Sequence, residues 1–487
     1  MALGIPGLSA QVSHGDDFVQ RDGTRLTLAG EPFRYSGPNI EWLGLEGYGP
    51  HDPAGARFPK QFEIDDAFAT AEEMGARVVR SQTMGDTVGC DECIEPKVGV
   101  FNEANFQSID YAISVARAHG MRLIITLNGD CAACRNHGVG PYLDWANKQG
   151  DLDFFTDPRI VGAVKKHIDA VLEHRNAITG VLYKDDPTIM AWENCNMCGL
   201  RGLYFSGDKN AGLQIAKWVE EIGAYIKQQD PRHLYLDTSG IFPSEPSVLA
   251  APSVDMVTYE YYPHWQELLG KIHPMTMESI RNDAATITSH GKVFIVNEYG
   301  WDKTDWKTLD DLKTVLHLLE TDHNISGDGF WALQAHLEYA GMQPIPADVT
   351  EPAAARDSES GEWWALYYPG RTTRVMTAQD MAARAQMLRT HAYAMRGMAA
   401  PKHAVPPKPL INAVVGGWII SFRGSACAVS YSVEEKLAGS AEWKTICDKC
   451  ATDFDDPWAA PQRPLRGSFR VIAWNADGVP SAPSDPW

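Results

Sequence analysis

Three glutamates close apolar runs of this chain: Glu193 in "TIMAWEN" (188–194), Glu260 in "VDMVTYEYY" (254–262) and Glu298 in "VFIVNEY" (293–299). A carboxylate leaving a buried run costs several kcal/mol in desolvation unless a cation or hydrogen bonds meet it. Each is therefore either the partner of a buried cation, with Arg80 of "RVVRSQ" (77–82) as candidate, or a reactive group. We read Glu193 as the structural partner and Glu298 as the reactive one. Two carboxylates held close together drive their pKa values apart, so one stays protonated while the other ionises. Such a pair can hand over a proton and attack an electrophilic carbon. A second chemistry-bearing pattern is sulfur: of nine cysteines, eight fall in C-x-x-C pairs, Cys90/Cys93, Cys131/Cys134, Cys195/Cys198 and Cys447/Cys450. Converging pairs of this kind hold zinc, form loop-bracing disulfides or remain thiols, and one thiolate could itself be a nucleophile.

These residues need a frame. "FVQRDGTRLTLAGEPFRYSGPN" (18–39) alternates around Asp22-Gly23, a hairpin signal ahead of a buried strand. From there short apolar runs recur at 33–39, 77–82, 122–128, 188–194, 233–239, 254–262, 293–299 and 329–334. Amphipathic stretches such as 105–120 and 158–176 lie between them. Eight strands alternating with helices predict a (β/α)8 TIM barrel, an α/β fold, over residues 1–400. Chemistry in a barrel sits at the carboxyl ends of its strands. That filter selects Asn39 and Trp42, Arg80, Asn128 and Asp130, Glu193 and Asn196, Glu260 and Tyr262, Glu298, and Trp331. The pairs Cys90/Cys93, Cys131/Cys134 and Cys195/Cys198 follow strands two, three and four, on one side of the mouth. Strands six and seven are neighbours about 4.8 Å apart, which brings Glu260 within reach of Glu298.

After residue 400 the texture changes. "APKHAVPPKPLI" reads as a Pro-rich linker at 401–411, and short alternating strands in 412–487 predict a small C-terminal β-sandwich of fibronectin or immunoglobulin type. Net charge is −20 with no basic run, which argues against nucleic acid and anionic membranes as partners. No apolar run approaches the length of a bilayer span, and no leader is visible at the start. No cofactor or catalytic metal is called for, and oligomeric state is open.

At the level of motifs the chain resembles the endo-β-mannanase branch of glycoside hydrolase family 5, in the retaining clan A. The resemblance rests on "FRYSGPNIEWLG" (33–44), "ARVVRSQ" (76–82), "FNEANFQSIDYAISVARAHGMRLIITL" (101–127), the segment 154–194, "VDMVTYEYYP" (254–263) and "KVFIVNEYGW" (292–301). It implies a barrel whose two glutamates cleave a glycosidic bond, one as acid/base at strand four and one as nucleophile at strand seven. Carried over, the nucleophile falls on Glu298, the strand-two arginine on Arg80, the motif asparagine on Asn196 and the platform tryptophan on Trp331. The acid/base falls on Met197, and a thioether transfers no proton. Where family members carry a histidine at strand six, this chain has Glu260, the candidate replacement acid. Trp42, Tyr262, Trp265 and Trp331 form the expected sugar platform. The implied partner is a carbohydrate, with mannan the default. A barrel that binds glycan without turnover is the alternative. The long segment 336–370, with Trp363, Trp364, Tyr367 and Tyr368, is expected to narrow the mouth and favour exo-action. The similar enzymes are mostly secreted, so export or a periplasmic site is expected, with the cytoplasm as the alternative.

Overall fold

The computed structural model describes residues 17–46, 56–129, 138–270, 273–336, 365–370, 373, 375–415, 419–451, 458–459 and 466–487. Asp130, Cys131, Cys134, Trp363 and Trp364 lie outside them. Eight parallel strands make the barrel: β1 (Tyr35–Pro38), β2 (Val78–Ser81), β3 (Arg122–Thr126), β4 (Ile189–Glu193), β5 (Leu234–Asp237), β6 (Met256–Tyr261), β7 (Val293–Tyr299) and β8 (Ile325–Phe330). Each pairs with its neighbour in order, β8 returns to β1, and a parallel bridge between Asn39 and Arg80 joins β1 to β2. The Ile40 amide donates to the Arg80 carbonyl at 2.9 Å along that join.

Period-two alternation sorts the side chains into two layers. Val78 and Ile124 join the cluster inside the barrel, while Val79, Leu123 and Ile125 pack outward against the helices. The interior cluster also takes Val19, Leu26 and Leu28 from an antiparallel hairpin, Val19–Asp22 with Arg25–Leu28, as the Asp22-Gly23 signal predicts. The helix Pro158–Leu172 shows how the outer layer forms. Asp157 accepts from the Arg159 amide at 2.9 Å, Pro158 occupies the first turn, and Ile160, Val164, Ile168 and Val171 line its buried face.

One expected strand is misplaced. Strand eight is Ile325–Phe330, four residues earlier than the run at 329–334. Its sequence, "ISGDGF", reads as a turn, yet a Cβ on Gly327 would lie 2.3 Å from the Tyr35 ring. Close approach of β1 requires glycine there, and the apolar run Trp331–Leu333 lies beyond the strand. Asp328, between the two glycines, accepts from Ser36 at 2.7 Å and pairs with His391 of the helix Ala378–Met395 at 2.9 Å. His391 also meets Glu320 at 3.0 Å.

Burial works against the His391 charge, but Asp328 and Glu320 raise its pKa to about 9. A raised folded-state pKa contributes stability that is whole below pH about 6.5 and lost as pH climbs through 9. Relative to His391→Gln, the native chain is expected to lose an advantage of about 3 kcal/mol between pH 6.5 and 9.5, read from urea midpoints. A constant difference across that window would refute the charged pair.

Beyond the barrel lie two three-stranded antiparallel sheets. One joins Leu410–Val415, Ile419–Arg423 and Trp458–Ala459; the other joins Lys444–Ala451, Ser430–Leu437 and Gly467–Trp474. They enclose their own core of Phe422, Tyr431, Val433, Phe469 and Val471. The first strand begins at Leu410, inside the stretch read as linker.

Candidate active site

Alternation alone would turn Glu298 outward, since Val293 and Ile295 face the barrel interior and Phe294 and Val296 face the helices. A bulge reverses this. Ile295 pairs with Thr258, but the next pair is Glu298 with Glu260, three residues on β7 against two on β6. The extra residue re-aims Glu298 inward beside Glu260. A second irregularity, in the β3–β4 register, lets Ala191 and Glu193 face inward while Trp192 packs outward.

At the centre stands Arg80, buried and with all five N–H donors used. Nε and Nη2 grip Glu193 at 2.7 and 2.6 Å. Nη1 reaches Asn39 at 2.9 Å and Glu298 at 2.7 Å, and Nη2 also reaches Asn196 at 2.6 Å. Glu193 is 0% exposed and further bonded by Thr126 at 3.1 Å and Thr238 at 2.8 Å, so it is the structural partner expected of it. Glu298 differs. Its second oxygen accepts from the Tyr262 hydroxyl at 2.6 Å, and the residue keeps 5% of its surface. Glu260 keeps 7%, has one oxygen with no hydrogen-bond partner, and lies within hydrogen-bonding reach of Glu298.

Three carboxylates thus surround one guanidinium. Burial opposes the Arg80 charge, but Glu193 and Glu298 raise its pKa above the ordinary value. Burial, then the neighbouring Glu298 charge, push Glu260 well above the usual carboxylate range, against a smaller opposing pull from Arg80. Burial also raises Glu298, but there Arg80 and the Tyr262 hydroxyl stabilise the charge directly. Both shifts run upward, further for Glu260 than for Glu298, so of the two carboxyls Glu260 is the one biased towards its protonated form.

Around this pair stand the aromatic residues. Tyr262 and Trp331 form one apolar cluster with Trp265 packed against it, the Tyr262 and Trp265 ring centroids being 4.9 Å apart. Trp42 is not among them. It joins the main core beside Ile40 and Leu43, because the chain after β1 folds back onto β2 through Thr83, whose hydroxyl bonds the Gly44 amide at 3.0 Å. Tyr367 and Tyr368 are likewise buried and belong to the main core.

Met197 occupies the rim of β4. Its backbone is left-handed, φ 51°, and its thioether lies over Gly240, where a Cβ would come within 3.0 Å of the sulfur. It is flanked by a disulfide, Cys195–Cys198; Cys90–Cys93 and Cys447–Cys450 are also disulfides. Those three pairs are therefore neither metal ligands nor free thiols, and none supplies a thiolate nucleophile. Among the described residues no group of three or more His, Cys, Asp or Glu side chains is arranged to hold a metal. No helix among them is long and apolar enough to cross a membrane. Sequence reading missed two features of the site. Tyr262 holds Glu298 as well as adding a ring, and His264 beside Trp265 bonds the buried Asp305 at 2.6 Å. The "YYPHW" run offered no signal for that second pairing.

Comparison with known proteins bears on the family and the fold. A model of the "GH family 5 beta-mannosidase-like" family matches residues 16–336. Mannan endo-1,4-beta-mannosidase 1 of Oryza sativa subsp. japonica is 31% identical over 292 residues, 54% of this chain and 63% of the relative. Mannan endo-1,4-beta-mannosidase 4 of the same plant is 35% identical over 235 residues, 47% of each. The chain thus spans less than two thirds of the length of these relatives. Among solved structures, the endo-1,4-beta-mannanase of Rhizomucor miehei superposes with a TM-score of 0.59 at 24% identity, covering 78% of this chain and 99% of that one. The endo-beta-1,4-mannanase of Thermotoga petrophila gives 0.58 at 19%, covering 93% and 98%. At those identities the structures speak for the fold.

Proposed function

The chain belongs to glycoside hydrolase family 5, in its β-mannosidase-like part, and from that premise we propose that it hydrolyses a β-linked glycan or short glycoside by a modified retaining mechanism. In this reading an ionised Glu298 oxygen attacks the anomeric carbon as the protonated Glu260 gives its proton to the departing oxygen. The covalent glycosyl-enzyme is then opened by a water that Glu260, now ionised, deprotonates. Arg80 and Tyr262 fix the attacking carboxylate, Asn196 bonds the sugar 2-hydroxyl, and Tyr262, Trp265 and Trp331 offer rings to the sugar face. The observation that carries the reading is geometric: Glu260 and Glu298 stand opposite one another on neighbouring strands, and Arg80 grips Glu298 at 2.7 Å.

Mannose-based substrates come first because the named relatives act on mannan. Disulfides favour an oxidising compartment and hence export. We also infer a division into a catalytic part, 1–400, and an accessory β-sandwich, 412–487. The alternative, a barrel that binds glycan without cleaving it, draws on Met197 at the position where the resemblance puts the acid. Incubation with natural and aryl β-glycosides, manno-configured ones first, tests the choice. Release of sugar by the native chain is the expected result; binding without release would establish the alternative.

A further inference from the structure

The four residues from Cys195 to Cys198 form the rim of β4, and the backbone N–H groups of the first three are spoken for from different directions. Cys195 donates to the Asn194 side chain at 2.7 Å, Asn196 to the Asn128 carbonyl at 2.9 Å, and Met197 to the Thr238 carbonyl at 2.8 Å. Gly199 follows, donating to the Ser239 carbonyl at 2.9 Å. Meeting β3 on one side and β5 on the other forces a sharp reversal, and Met197 makes it in the left-handed region. That conformation costs an L-residue roughly 1–2 kcal/mol, so the turn does not hold itself. The disulfide spans it, with Cα atoms 5.8 Å apart and both cysteines buried in the main core. Between the two sulfurs Asn196 presents its side-chain oxygen to Arg80 at 2.6 Å, the guanidinium that also holds Glu298 at 2.7 Å.

We propose that the Cys195–Cys198 disulfide is a positioning element of the active site: it locks the left-handed turn at Met197 and so holds Asn196 against Arg80. The inference rests on the functional reading above and adds to it a covalent requirement. A site built this way reaches full turnover only after the two thiols have passed two electrons and two protons to an external disulfide, which leaves as two thiols by thiol–disulfide exchange while the Cys195–Cys198 bond forms. In a reducing compartment the same chain keeps its barrel but loosens the asparagine that faces substrate. The bond acts through Asn196 and touches no reacting atom.

The test is a double-mutant cycle on the full chain, with thermal unfolding and circular dichroism to confirm the barrel. Cys195→Ala/Cys198→Ala is expected to lower kcat/KM about tenfold or more on an aryl β-mannoside, and Asn196→Ala to do the same. Combining all three changes should cost no more than Asn196→Ala alone. Full activity without the bond, or losses that simply multiply, would overturn the proposal. Hydrogen exchange supplies a readout independent of turnover. The amides of Asn196, Met197 and Gly199 should exchange at least about tenfold faster without the bond, and unchanged protection would equally overturn it. Should the double variant not fold, the native protein reduced by a water-soluble phosphine replaces it in both measurements. The phosphine becomes its oxide with oxygen from water, and alkylation verifies the freed thiols. A native chain that cleaves no glycoside at all would defeat the functional reading instead, while exchange at residues 196–199 would still decide whether the bond holds the turn.

Discussion

Glu298→Gln is expected to lower turnover of a manno-configured aryl glycoside by roughly 10^4, about 5.5 kcal/mol of activation free energy, while leaving glycan binding within a few-fold. The amide keeps the shape of the side chain and can still meet both Arg80 and Tyr262, so the fold should tolerate it. It has no charge and cannot bond to the anomeric carbon. Mass spectrometry of the native chain with a 2-fluoro mannoside should find the sugar attached within the peptide carrying Glu298. Wild-type rates in the Gln variant, with label elsewhere, would move the attack to another residue and remove the basis of the retaining mechanism.

The second large effect concerns Glu260. Glu260→Gln should cost about 10^2–10^4 in kcat/KM on glycosides with poor leaving groups, and far less on dinitrophenyl glycosides, whose aglycone departs without a proton. Its pH dependence follows from the direction of the shifts. The active form needs Glu298 ionised and Glu260 protonated, and burial plus the Glu298 charge raise Glu260 well above the usual carboxylate range. Activity should therefore rise with pH as Glu298 ionises and fall again as Glu260 loses its proton. The Gln variant should lack the descending limb. An equal loss on good and poor leaving groups, with both limbs intact, would reduce Glu260 to a neighbour of the nucleophile.

Much of this site was legible in the sequence because strand rhythm and residue type act locally. Arg80, Glu193, Asn196 and Glu298 were all selected by their place at strand ends, and the structure gathers them within hydrogen-bond distances. What stayed hidden depends on register between strands. The bulge that turns Glu298 inward is a mismatch of β7 against β6, and no single stretch of chain encodes it. Strand eight was displaced for a similar reason: "ISGDGF" has the local character of a turn, and pairing with β7 and β1 on its two sides makes it a strand, Gly327 leaving room for the Tyr35 ring. Trp42 and Trp331 look alike as rim tryptophans, yet one enters the core and the other joins Tyr262, a choice made by how β1 folds onto β2. The sulfur pattern left three outcomes open because spacing is the same for a zinc ligand pair and a disulfide.

The join between β1 and β2 runs through the residue that gathers the carboxylates: the backbone of Arg80 bonds Ile40 while its side chain holds Glu193 and Glu298. Circular closure of the sheet and assembly of the reactive centre are therefore one event. A chain opened along that seam would carry Arg80 on β2 away from Glu298 on β7, while Glu193 on β4 stays two strands from its cation, so in the reading proposed above sugar release doubles as a gauge of whether the ring is shut.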